Sequence, residues 1–287
     1  MIVTNKLKLP MAFVKAVSTE KHNAEGEFSA TTLLKGCKEI ILTDRHWDEI
    51  EVDAADSIWK IFGSAVHKIL EEFDDGNFHE EKLTFNVFGV TITGTIDSYD
   101  MQNGVVFDWK TASIWKTKFK DYTDWKRQGL TYAWLLKRNG FEVNQCRFVA
   151  LLKDHSKSMA AKDPEYPISP CIIYEFDVTD EDLQAMEKEI AEKVPLLEEY
   201  YKIPDDEIPP CTKEERWADD DKYAVMKKGV KKAVKVLDSE NEANALAEES
   251  GPNFYVEHRP AVSRKCQGYC DCKQFCNFYK NMIKGEE

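Results

Sequence analysis

The chain has 287 residues, 43% of them apolar and 11% aromatic, and its 39 basic and 52 acidic side chains leave a formal net charge of −13. This apolar content supports a packed core and excludes a disordered protein, and the length allows one large domain or a core with an appendage. The charge argues against a protein that coats nucleic acid. It does not exclude an enzyme acting on nucleic acid, whose cleft alone has to be basic.

Residues 1–24 read as a loosely structured lead-in. Ser29 to Leu42 reads as a helix, with Thr31 and Thr32 as caps and Leu33, Leu34, Ile40, Ile41 and Leu42 as its apolar positions. A second helix, about Ala54 to Phe73, carries Ile58, Ile61, Phe62, Ala65, Val66, Ile69 and Leu70 at helical spacing. Three strands follow, at about 81–88, 90–100 and 104–112, the last two joined by a two-residue hairpin turn at Asn103-Gly104. A helix from Tyr122 to Arg138 stops at Asn139-Gly140. Strands at 147–153 and 171–178 come next, then a helix to about Tyr201 opened by a capping box, Thr179 with Asp182. Pro204, Pro209 and Pro210 mark a boundary, so domains are expected at 25–203 and 204–287. The second holds six lysines and no acid between Lys222 and Leu237, which suit a solvated face or a phosphate-contacting strip equally well. No run of about eighteen apolar residues occurs and no signal-peptide core is present, so a soluble, intracellular protein without a membrane partner is expected.

The chemistry concentrates in Gly94-Thr-Ile-Asp97 and Asp108-Trp109-Lys110. Side chains two apart on a strand share a face, so Asp108 and Lys110 point the same way, and the hairpin can bring Asp97 beside them. Two converging carboxylates make a hard-oxygen site suited to Mg²⁺ or Mn²⁺. A lysine beside such an ion can orient an attacking water or neutralise a phosphate transition state. His67 on the second helix, and Gln128 and Tyr132 one turn apart on the third, are mundane singly; each element nevertheless offers a polar group to one cleft. Eight cysteines in an intracellular chain favour metal or buried thiols over disulfides. Cys266, Cys270, Cys272 and Cys276 crowd into eleven residues, a spacing suited to zinc or an iron–sulfur cluster, whereas Cys146 and Cys171 read as core residues.

Gly-x-x-x-His (63–67), Gly-x-x-Asp (94–97), Asp-x-Lys (108–110) and Gln-x-x-x-Tyr (128–132), in that order, resemble the RecB-type branch of the PD-(D/E)XK nuclease superfamily over roughly residues 29–155. The resemblance implies an α/β (α+β) restriction-endonuclease-like core, a central mixed sheet flanked by helices in the order αβββαβ, with a cysteine-rich C-terminal appendage. It implies Asp97, Asp108, His67 and the carbonyl of Trp109 as metal ligands and Lys110 as the catalytic lysine. Gln128 and Tyr132 would position the DNA end or the water and support Lys110. Several RecB-type nucleases hold a four-iron cluster on one early and three C-terminal cysteines. By that likeness Cys37, Cys266, Cys270 and Cys276 would hold a 4Fe–4S cluster or Zn²⁺, with Cys211 or Cys272 as substitutes. Glu215-Arg216-Trp217 and Lys222 to Lys227 resemble the C-terminal part of phage and prophage exonuclease-like proteins. That implies DNA as substrate, a role in viral recombination or replication in the cytoplasm of a bacterial or phage-infected cell, and a single-strand annealing protein as partner. A metal-dependent DNA exonuclease leads; an endonuclease or flap nuclease with the same site, a non-catalytic DNA-binding subunit and a cysteine-based metal or redox sensor are the alternatives.

Overall fold

Val90, Ile92, Ile96 and Tyr99 are buried along one long strand, and the first half of the molecule is built around it. The computed structural model describes residues 1–18, 26–73 and 75–285 and divides into two compact units, Met1–Pro204 and Asp205–Glu287. The first unit runs β1 (Ile2–Thr4), α1 (Met11–Val17), β2 (Glu27–Ser29), α2 (Ala30–Leu33), α3 (Cys37–Arg45), β3 (Glu51–Asp53) and α4 (Ile58–Glu71). It continues with β4 (Phe78–Val87), β5 (Val90–Asp100), β6 (Val105–Ala112), α5 (Ile114–Phe119), α6 (Thr123–Arg138), β7 (Gln145–Leu152), α7 (Lys157–Ala160), β8 (Cys171–Asp177) and α8 (Asp180–Tyr200).

Six of these strands form a central mixed sheet flanked by helices, in the order β2-β5-β6-β7-β8 with β4 on β5. Antiparallel β4 covers one edge of β5 along residues 90–99. The other edge is shared in tandem: β2 pairs parallel with residues 91–93, and β6 pairs antiparallel with residues 98–100. β6 then runs parallel to β7 over its whole length, and β8 closes the sheet antiparallel to β7. Helix α6 lies on this sheet and buries Trp125, Tyr132, Ala133 and Leu136 against Val106, Cys146, Phe148 and Ala150. At full burial such aliphatic and aromatic side chains each contribute about 1.5–3 kcal/mol, so α6 is fixed firmly enough to position polar groups.

Several local expectations change. The lead-in is ordered: β1 pairs parallel with β3, and α1 packs Val14 and Val17 on Ala54 and Ile61. The partner of β1 lies about fifty residues downstream, where local pattern cannot show it; residues 19–25 lie outside the described residues. The helix expected over 29–42 is two helices, because Ser29 ends β2 and caps α2 by accepting from the Thr32 N–H, while Gly36 starts α3 anew. The two-residue turn falls at Phe88-Gly89, where both φ angles are positive (51° and 91°), as this hairpin type requires. Asn103-Gly104 instead ends a four-residue connection from Asp100 to Val105, whose Asp100 carboxylate accepts from the N–H groups of Gln102 and Asn103. Lys116 and Lys118 lie on α5, a short helix after β6. The capping box at Thr179 and Asp182 forms.

The second unit contains β9 (Lys222–Lys227), β10 (Lys235–Leu237), α9 (Glu240–Ser250), β11 (Phe254–Arg259), α10 (Arg264–Gly268) and α11 (Asn277–Lys284). Its antiparallel sheet has the order β10-β9-β11, and Val225 on β9 packs with Ala243 and Ala247 of α9. Among the described residues no helix is long and apolar enough to cross a membrane.

Candidate active site

The site forms where β5 and β6 part. Their ladder consists of Asp100–Val105, Tyr99–Val106 and Ser98–Phe107 and then stops, so Asp97 and Asp108 are the next residues in register. Beyond that point Asp97 Oδ2 takes the place of a backbone partner and accepts from the Trp109 N–H at 2.7 Å. Among the described residues, positions 94–97 have no ladder partner on this edge of β5, which lies open between β2 and β6. The Gly-x-x-Asp motif occupies that opening. A Cβ at Gly94 would stand 2.8 Å from Leu135 Cδ2 and 3.3 Å from Tyr132 Cε1, so glycine is what lets α6 approach so closely.

Gln128 organises the α6 side. Its Nε2 donates to Asp108 Oδ1 at 3.0 Å and to the Tyr132 hydroxyl at 3.2 Å, while its Oε1 accepts from Lys110 Nζ at 3.0 Å. Lys110 Nζ also pairs with Asp108 Oδ2 at 2.5 Å. Asp108 is only 3% exposed, and burial pushes its carboxyl up to about 6 against the lowering pull of Lys110. Burial likewise raises the Tyr132 phenol and keeps it neutral.

His67 reaches in from α4. Its Nε2 is 3.0 Å from the Trp109 carbonyl and its Nδ1 is 3.4 Å from Asp97 Oδ1. Both ring nitrogens thus face acceptors, which a neutral imidazole with a single N–H cannot satisfy. The ring is held above its ordinary pKa, chiefly by the hydrogen bond with Asp97, with burial opposing. Sequence reasoning missed Glu80. The pairs His79–Ser98 and Glu81–Ile96 put it opposite Asp97, and it adopts φ +51°, a strained conformation for a non-glycine residue. Burial first, then the neighbouring Asp97, raises its carboxyl. Counting back equally from a turn at Phe88-Gly89 finds it; a strand taken to begin at Glu81 does not.

His67, Glu80 and Asp97 offer ligand atoms that all lie within 4.8 Å of one another. With both nitrogens of His67 already facing acceptors and the buried Asp108 carboxyl nearby, this is an oxygen-rich pocket that fits a hard divalent cation. The structure therefore brings together His67, Asp97, Asp108, Trp109, Lys110, Gln128 and Tyr132, with Asp108 turned toward Lys110 and Gln128 rather than into the histidine–carboxylate triad. Behind Tyr132 a cavity of about 1210 Å³ runs along the open edge of β5; Gly94, Thr95, Ser29 and Arg45 line it, but neither Asp97 nor Asp108 does.

The cysteines fall in both units. Cys37 begins α3 in the first, while Cys211, Cys266, Cys270, Cys272 and Cys276 lie in the second, where the sulfurs of Cys270 and Cys272 are 3.5 Å apart. Cys146 is wholly buried under α6, and burial raises its thiol.

No protein-family model and no curated protein sequence matches the chain. Solved structures resemble it at low identity. The structure of SSO0001 is 17% identical over 65% of this chain and 85% of that one, with a TM-score of 0.45. The alkaline exonuclease LHK-Exo from Laribacter hongkongensis is 12% identical over 62% and 90%, with a TM-score of 0.38. A phage-related exonuclease from Haemophilus somnus is 12% identical over 59% and 75%, with a TM-score of 0.33.

Proposed function

We propose that this chain is a divalent-metal-dependent deoxyribonuclease that hydrolyses phosphodiester bonds from DNA ends. The observation that carries the reading is the meeting of Asp97, Asp108, Lys110, His67 and Gln128 where β5 and β6 separate. The resemblance of Glu215-Arg216-Trp217 and Lys222 to Lys227 to phage exonuclease-like proteins favours attack from ends over internal cleavage.

Asp97 and Asp108, with Glu80, His67 and the Trp109 carbonyl at hand, would hold Mg²⁺ or Mn²⁺. A bound ion of this kind supplies Lewis acidity and neutralises phosphate charge. The chain's own residues supply the rest. Lys110 keeps its ammonium beside Asp108 and Gln128; an ammonium has three donors, so one remains for a phosphate oxygen or the attacking water. Gln128 fixes that lysine and holds Asp108 through the opposite end of its amide. Neutral Tyr132 closes the wall behind them. The cysteines of the C-terminal tail are proposed as ligands of zinc or an iron–sulfur cluster. Elemental analysis of protein purified without oxygen tests this: bound zinc, or iron with sulfide, supports it, and neither overturns it.

The functional test is digestion of end-labelled linear duplex, single-stranded and closed-circular DNA with Mg²⁺ or Mn²⁺, beside the Lys110→Ala protein. Loss of linear DNA with circles intact, absent in the variant, is the expected result. Cut circles would replace the exonuclease reading by an endonuclease, and no cleavage by folded protein with either metal would overturn the enzyme reading altogether.

A further inference from the structure

Large aromatic side chains normally seek the interior, yet Trp59, Trp115 and Phe119 stay 56%, 54% and 74% exposed. They are placed by the end of the strand that carries the site. β6 ends at Ala112, two residues past Lys110, and the Ala112 carbonyl accepts from the Lys153 N–H at 3.0 Å. Lys153 Nζ lies 4.3 Å from the centre of the Trp59 ring, on the first turn of the helix that delivers His67. The adjacent Asp154 carboxylate accepts from the Ser113 hydroxyl at 2.6 Å and the Ile114 N–H at 2.7 Å, tying down the start of α5. Residues 153 and 154 thus hold both aromatic groups at the same end of β6.

On α5 the rings of Trp115 and Phe119 are one turn apart, stacked with centroids 5.8 Å apart and planes 24° apart. Lys118 Nζ sits 5.2 Å from the Trp115 ring centre, and Lys120 follows in a left-handed conformation. Of the nearby acids Asp124 pairs with Lys116, while Asp121 and Asp154 accept from the Thr123 and Ile114 N–H groups. Flat, exposed π-faces interleaved with ammonium groups suit unpaired nucleic acid, whose bases stack while its phosphates meet cations.

We propose that Trp115 and Phe119, with Trp59 beside them, form a base-stacking platform for an unpaired stretch of the substrate strand at the mouth of the site, its phosphates met by Lys118, Lys120 and Lys153. The proposal rests on the nuclease reading and deepens it: the substrate is gripped as a single strand, through its bases, next to the carboxylates.

Binding without cleavage tests it. The intact protein in EDTA is titrated by fluorescence anisotropy against a labelled thymidine oligonucleotide and an abasic strand of the same length, which keeps every phosphate and lacks every base. The native protein is expected to prefer the thymidine strand by tenfold or more, since stacking contributes about five- to a hundredfold or more per base. A Trp115→Ala/Phe119→Ala variant should lose that preference and keep its abasic-strand affinity, and Trp115→Phe should retain most of it. Equal affinity of the native protein for both strands, or an unchanged preference in the double variant, overturns the platform. Digestion of linear DNA with Mg²⁺ is measured in parallel. Digestion without base preference sinks the platform alone, whereas base preference without digestion supports the platform and sinks the nuclease reading.

Discussion

Replacing Gln128 by Glu exchanges one NH₂ for an oxygen at the centre of the polar network, and its effect can be worked atom by atom. The contact from Lys110 to Oε1 survives, and the Tyr132 hydroxyl can reverse and donate. The contact to Asp108 Oδ1, 3.0 Å long, becomes two carboxylate oxygens facing each other in a buried place. One of them has to bind a proton, and Asp108, already raised to about 6, is the group poised to do so. Holding that proton costs about 1.4 kcal/mol for each pH unit above its pKa. The expected loss of stability is therefore roughly 1–2 kcal/mol at pH 7, larger at pH 8 and small at pH 6. The sign is fixed by linkage: above pH 6 the folded variant holds a proton that the native protein and the unfolded chain release, so rising pH weakens it selectively. Urea unfolding in EDTA at pH 6, 7 and 8 measures this, with Gln128→Met as a control whose deficit should not change with pH. A Gln128→Glu deficit that is the same at pH 6 and pH 8 would refute the facing of Gln128 and Asp108.

Lys110→Met should lower DNA cleavage at least a hundredfold. It should also weaken the metal-free fold more at pH 8 than at pH 5, because Asp108 loses its cation and is neutral only at the lower pH. In the native metal-free protein the raised Asp108 carboxyl should cost the fold stability as pH rises from about 4 to about 6, and nothing further above. Asp108→Asn should abolish cleavage and remove that slope, which unfolding measured across this range checks. Glu80→Gln should reduce the rise in melting temperature produced by millimolar Mg²⁺ or Mn²⁺, and an unchanged rise would exclude Glu80 from the ion's surroundings. Gly94→Ala should destabilise by about 1–3 kcal/mol through overpacking, since the fully buried Leu135 must move its Cδ2 aside; calorimetry showing no change would mean Leu135 or α6 gives way freely.

Much of this architecture is legible because it is local. The alternation from Val90 to Tyr99 announces β5, and the Thr179–Asp182 capping box announces α8. The spacing of Gln128 and Tyr132 puts both on the inner face of α6, which is where they stand. Pairings between distant residues are what the sequence conceals. Nothing near Ile2 reveals that Glu51 is its partner, and nothing near Glu27 reveals a parallel place on β5. Glu80 was hidden by its context, as one acid in the run His79-Glu80-Glu81; its meaning depends on register, which in turn depends on recognising Phe88-Gly89 as the turn. Asn103-Gly104 looked the stronger signal, yet Asp100 claims that loop through its own hydrogen bonds. The exposed aromatics of α5 follow the same logic in reverse: Trp115 and Phe119 resemble core residues until their accessibility is seen.

The two-residue turn at Phe88-Gly89 also sets a timetable. β4 and β5 are neighbours in the chain and can zip together early, delivering Glu80 and Asp97 as a pair. Asp108 and Lys110 lie on β6, whose full-length partner β7 begins only at Gln145, after a whole helix has been made. Local pairings form before distant ones, so the short β5–β6 ladder can bring the two carboxylates together early, while the strand that fixes β6 along its whole length arrives late. A nascent chain that has emerged only as far as Arg138 carries every residue of the proposed site and yet lacks the strand that holds half of it in place. On the proposed function, the site would then gain its full support only once β7 has joined β6.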